Sequence, residues 1–223
     1  MEWTERSRER LETALTEAEV CGVRVGQSDV VEVLLHVAAL PASGPMDLDP
    51  RRVLQLHGVT QLRFLLRSDT ADGYGPAIPL TDLHAVETFF DTLATGGSLY
   101  GWRYFDDPTL TKDWPATPSL SMTLSEGLAP HTFYWFNECL TPDTGSVRSY
   151  CIEGTIEFAD LSVFRADGTR QDVSEFSNEG AAWWQALNDR DERAGMDAQR
   201  ATATSGLTWR VRPGVSQADR GAS

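Results

Sequence analysis

Lysine is almost missing from this chain: it has 223 residues and 19 basic ones, and only Lys112 among them is a lysine. Protein chemistry rarely demands that ratio, whereas codon bias in a GC-rich genome produces it, so a high-GC bacterial source is expected. Cysteine is scarce as well. Cys21, Cys139 and Cys151 are odd in number and show no CxxC spacing, which argues against a disulfide framework and a zinc ribbon. In a reducing compartment they are expected to be small buried hydrophobes. No apolar run reaches 18 residues, so no transmembrane helix is expected. The opening Met1-Glu2-Trp3-Thr4-Glu5-Arg6 lacks the basic-then-apolar order of a signal peptide, and a cytoplasmic location is the expectation. The phosphate-cradling GxxxxGK[ST], the dinucleotide GxGxxG and the nucleophile-elbow GxSxG are all missing, so nothing supports an enzyme using ATP or NAD, and no cofactor is expected.

What is abundant is negative charge, and it is unevenly placed. The net charge is −14. Residues 69–160 hold 14 acids against Arg103, Lys112 and Arg148, a balance of −11, and they also hold 14 of the 21 aromatic residues. A solubilising surface over an aromatic core accounts for this pattern. A sharper account is an acidic face with aromatic anchors that meets a basic protein partner. Direct nucleic-acid binding is disfavoured, because no basic stripe is present to meet a phosphate backbone.

Periodicity predicts three amphipathic helices, over residues 2–19, 80–94 and 174–190. In the first, Trp3, Leu11, Leu15 and Ala18 share a stripe, and Gly22 follows it. In the last, Ser174 is the expected N-cap, with Phe176, Gly180, Trp183 and Leu187 on one face and Trp184 at its edge. Alternation predicts strands over 29–40, 53–57, 60–68, 99–105, 119–125, 131–139, 146–158, 161–165 and 169–173, with a break at Gly58 and a hairpin at Asp167-Gly168. Residues 69–79 read as turns. Consecutive strands without intervening helices indicate an α+β fold, a mainly antiparallel sheet of about seven to nine strands with helices packed against it. One domain over 1–193 is expected, followed by a loosely ordered tail, 194–223, in which only Leu207–Arg212 resembles a strand.

Candidates for chemistry are few. His131 and Cys139 share a predicted strand but lie eight residues apart, about 27 Å of rise, so they do not meet. His84 and Glu87 have an i,i+3 spacing used in di-metal sites, without the second motif such sites need. Neither Asp47-Leu48-Asp49 nor Asp69–Gly73 completes a calcium loop, and no metal site is expected. Asp106-Asp107 before Pro108 reads first as the start of a turn. With Glu138 and Glu153, or with His131, it also offers acid–base groups for a hydrolytic or small-molecule-binding pocket in the 98–158 strands. The leading expectation is a non-catalytic binding protein, of which a bacterial immunity or antitoxin-type role is one version. Its partner surface would comprise Asp69, Asp72, Tyr100, Trp102, Tyr104, Asp106, Asp107 and Trp135. A structural or assembly subunit, with an apolar patch around Trp183 and Trp184 or in the tail, is the remaining alternative.

Overall fold

The computed structural model describes residues 3–26, 29–44, 49–92, 103–142 and 147–194, leaving aside the side chains of 139–142 and 147–148. The order is α1 (Glu5–Leu15), β1 (Glu19–Val25), β2 (Val31–His36), β3 (Arg51–His57), β4 (Gln61–Thr70), β5 (Gly73–Ala77), α2 (Leu83–Asp91), β6 (Leu120–Thr123), β7 (His131–Pro142), β8 (Val147–Phe158), β9 (Asp160–Arg165), β10 (Arg170–Gln171) and α3 (Val173–Asn188). Two antiparallel sheets result. The first runs β1-β2-β3-β9-β10 and the second β5-β4-β8-β7, with β6 also paired to β4. The fold is α+β.

Local chemistry explains the element ends. Thr4 caps α1 by accepting from the Ser7 amide, Asp82 caps α2 through Ala85, and Asp172 caps α3 through Ser174 and Glu175. The α3 cap is therefore Asp172, two residues before the expected Ser174, because its carboxylate reaches both first-turn amides. The first helix is shorter than its periodicity predicts. Glu17 adopts φ 67°, a left-handed conformation that ends helical propagation. The chain then enters β1, a strand not foreseen in the sequence, where Cys21 forms a bulge between the pairs Val20↔Leu35 and Gly22↔Leu34. The turn-rich 69–79 segment likewise yields β5, paired with β4. Of the expected strand over 99–105, residues 99–102 lie outside the described residues, and Phe105 makes only an isolated bridge to Phe133.

The two sheets share a corner. β3 leaves the first sheet and becomes β4 of the second through Gly58 (φ 62°), while β8 becomes β9 through Ala159. The Ala159 amide donates to the His57 carbonyl at 2.8 Å, and a Cβ on Gly58 would lie 2.9 Å from that of Ala159. Only glycine satisfies both the dihedral and the approach. On the far side, buried Asn137 on β7 donates to the Val20 carbonyl of β1 at 2.8 Å. The sheets are thus joined at the corner through their interior strands and again between the edge strands β1 and β7. Between them lies one core, to which Val33, Leu35, Leu54 and Val163 contribute from one side and Leu62, Phe64, Trp135 and Ile156 from the other. Leu11 and Leu15 of α1, Val86 and Phe90 of α2 and Phe176 of α3 complete it.

Among the described residues, no helix is long and apolar enough to cross a membrane. The tail expected to be loose, Leu207–Arg212 included, lies outside the described residues from 195 onward; Ala194 itself is buried beside Trp183 and Leu40.

Candidate functional site

The inner face of the second sheet is apolar, and strand alternation sends the polar residues to its outer face. Register places Glu138, Cys151 and Arg67 in one row across β7, β8 and β4. The next row holds Phe136, Glu153 and Leu65, and the one after it Tyr134, Thr155 and Arg63. A carboxylate at the centre of a sheet needs partners, and Glu153 has several. Arg67 Nη2 donates to Oε1, while Trp114 Nε1 and the Tyr134 hydroxyl donate to Oε2 at 2.8 and 3.0 Å. Burial, and then the Glu153 charge, push the Tyr134 phenol above its ordinary range. Trp114 reaches Glu153 from the segment that crosses this face between the Phe105 bridge and β6, and Arg63 lies 5.1 Å beneath its ring. This network is an ion pair roofed by aromatics, in which both Glu153 oxygens are satisfied while the buried Arg67 Nε has no hydrogen-bond partner among the described residues.

At the β4–β5 hairpin the same face becomes acidic and open. Tyr74 lies over the Arg67 guanidinium at 4.5 Å, meets Phe136 edge-on at 6.3 Å and donates its hydroxyl to Glu138 at 2.9 Å. Desolvation, followed by the Glu138 hydrogen bond, raises its phenol pKa. It nevertheless remains 38% exposed and, with Leu128, is one of two exposed large hydrophobic side chains among the described residues. Asp69 pairs directly with Tyr74 across the hairpin, and Asp72 sits in its turn. Asp69, Asp72 and Glu138 are all exposed.

Asp106 and Asp107 sit at the other end. Tyr150 pairs with Ser68 and Phe158 with His131, so the two acidic sites are separated by about eight residues of β8, roughly 27 Å. Asp106 adopts φ 56°. Its Oδ1 accepts from the Thr132 amide at 2.8 Å, and its Oδ2 lies 3.2 Å from His131 Nδ1 and 3.6 Å from Arg8. Trp3 stacks on the His131 ring at 4.5 Å. Asp107 caps the 3₁₀ turn Pro108–Thr111, and its hydrogen bonds with Thr109 hold its carboxyl below the ordinary range. A shallow notch of about 340 Å³ separates these residues from Glu5, Glu9 and Glu12 of α1.

Of the six expected partner-surface residues that are described, only Asp69 and Asp72 share an exposed site. Asp106 and Asp107 are occupied by internal contacts, and for Asp107 the turn-forming role expected of this dipeptide is what the structure contains. Tyr104 and Trp135 are corrected: they are 1% and 0% exposed and belong to the core. Trp135 faces inward because Gly154 opposite it has no side chain; a Cβ there would lie 1.9 Å from the indole. Tyr100 and Trp102 lie outside the described residues. Sequence reasoning missed Tyr74 and Arg67, whose positions depend on β5. The signal available was alternation in β7, which sets Tyr134, Phe136 and Glu138 apart from Phe133, Trp135 and Asn137. The patch envisaged at Trp183 and Trp184 is not open, since Trp183 is buried and Trp184 half-buried with Nε1 donating to the Thr13 carbonyl.

Among the described residues no group of three or more His, Cys, Asp or Glu side chains is arranged to hold a metal ion. The chain matches no protein-family model, no curated protein and no solved structure. Any reading of its function therefore rests on its own surface chemistry.

Proposed function

We propose that this is a non-catalytic binding protein that receives a basic segment of a protein partner at the Tyr74 end of the second sheet. The observation that supports it is the meeting of three exposed carboxylates, Asp69, Asp72 and Glu138, with the exposed Tyr74 ring in a chain of net charge −14. A negative field steers a cationic partner to the surface, and a held aromatic supplies contact area at small entropic cost. In a cytoplasmic setting, neutralisation of a basic bacterial toxin is one concrete version. The test is calorimetric titration with a ten-residue lysine or arginine peptide in 50 and 200 mM salt. Reversal of charge in Asp69→Lys/Asp72→Lys should weaken binding at least about tenfold in low salt, and the wild-type affinity should fall as salt rises. Equal binding by the reversed variant overturns the reading.

A hydrolytic reading has one observation in its favour, the Asp106–His131 pair, in which a carboxylate orients an imidazole as acid–base sites require. Among the described residues no serine, threonine or cysteine hydrogen-bonds to that ring, so the binding reading is preferred. Ester hydrolysis lost in His131→Gln would reverse the preference.

A further inference from the structure

We propose that the group recognised at this surface is an arginine side chain, stacked on Tyr74 and forked to the carboxylates around it; this rests on the binding role proposed above. The ring already accepts one guanidinium, that of Arg67, at 4.5 Å. That cation is neutralised by the buried carboxylate of Glu153, so the site presents little repulsion to a second cation. Tyr74 donates its hydroxyl to Glu138 at 2.9 Å, which draws negative charge into the phenol and strengthens the attraction of its face for a cation. The same hydrogen bond, the Phe136 edge and Arg67 hold the ring in place, so little side-chain entropy remains to be lost on binding. More than a third of the residue still meets solvent.

Asp69 stands opposite Tyr74 in the hairpin register, Asp72 at its turn and Glu138 at the hydroxyl. Asp69 and Asp72 make no ion pair with any described residue. A planar guanidinium satisfies both features at once: it lies flat on an aromatic face and presents paired N–H donors at its edge to a carboxylate. An ammonium group holds its hydration more tightly and offers no plane, so lysine gains only the long-range attraction.

The experiment titrates the full chain with ten-residue arginine and lysine peptides of equal charge at one salt concentration. Wild type should bind the arginine peptide about tenfold more tightly, within the range of a desolvated cation–π contact. Tyr74→Leu should erase that preference, bringing the arginine and lysine peptides to equal affinity. Tyr74→Phe, which keeps the ring, should retain most of it and so separates loss of the ring from loss of the local fold. Equal affinity for the two peptides in wild type, or a preference that survives Tyr74→Leu, overturns the inference. If charge reversal at Asp69 and Asp72 still weakens both peptides in that case, the binding role stands without it. If charge reversal is without effect, the binding role itself fails.

Discussion

Trp135 shows how one residue type serves opposite purposes. An aromatic beside acidic neighbours reads as a surface anchor, yet the indole lies on Gly154 at the centre of the core. Trp135→Ala should cost about 3–5 kcal/mol, and Gly154→Ala should cost at least about 2 kcal/mol because the packed indole has no room to retreat; chemical denaturation measures both. Glu153 makes a different prediction. Glu153→Ala leaves Arg67 without its carboxylate and the Tyr134 and Trp114 donors unsatisfied, so a loss of about 3 kcal/mol is expected. Glu153→Gln should cost less, since an amide oxygen still accepts. Tyr104 tests burial through pH. Burial raises its phenol from 10.0 to about 12, so between those values the unfolded chain has lost a proton that the folded chain keeps. Stability from this residue is full below pH 10 and drains away as pH rises toward 12, by at most about 3 kcal/mol in all. Tyr104→Phe should flatten that part of the alkaline unfolding curve, and an unchanged slope would show that the phenol is not desolvated.

At the scale of elements, the closing helix and the corner carry the sharpest expectations. α3 is tied to the first sheet by Glu179, which is buried and accepts from Arg52, Gln171 and Arg165 at 3.5, 2.8 and 2.7 Å. Trp183 packs beyond that network with Ala38 and Leu40, and Trp184 only edges the cluster. Trp183→Ala should therefore cost about 3–5 kcal/mol and Trp184→Ala distinctly less; equal, mild effects in thermal unfolding would mean that α3 is not docked through this face. Gly58→Ala forces an L-residue to positive φ against Ala159, a cost of about 1–3 kcal/mol. The break at Gly58 and the alternation of the strands beyond it were legible, because a glycine between two alternating runs weakens a strand and marks a bulge or a bend. β1 was not, because Gly22 has the same identity whether it ends a helix or follows a bulge, and only pairing with β2 decides between them. β5 was hidden for a related reason. A sequence of Gly73-Tyr74-Gly75-Pro76 has little strand propensity of its own, and pairing with β4 supplies what propensity does not.

For the whole molecule, a charge of −14 means self-repulsion in the compact state. Raising salt from about 10 to 300 mM at neutral pH should raise the unfolding midpoint, since the Debye length shrinks from roughly 30 Å to below 8 Å. A falling midpoint would show that ion pairs such as Arg52–Glu179 and Arg67–Glu153 outweigh the repulsion.

Composition and alternation by themselves determined the α+β class, the antiparallel pairing, the approximate place of each helix and the excess of acid over base. These follow from local periodicity and charge, which need no knowledge of neighbours. Tertiary structure alone decided which of two alternating faces is buried, and so moved Trp135 into the core; it also buried Tyr104 beside the isolated Phe105 bridge and, by pairing β5 with β4, brought Tyr74 out to the surface. It also parted Asp69 and Asp72 from Asp106 and Asp107, which lie beside opposite ends of β8. The physical reason is that a strand carries two faces of similar aromatic content, and only the sheet packed against it determines which one meets water.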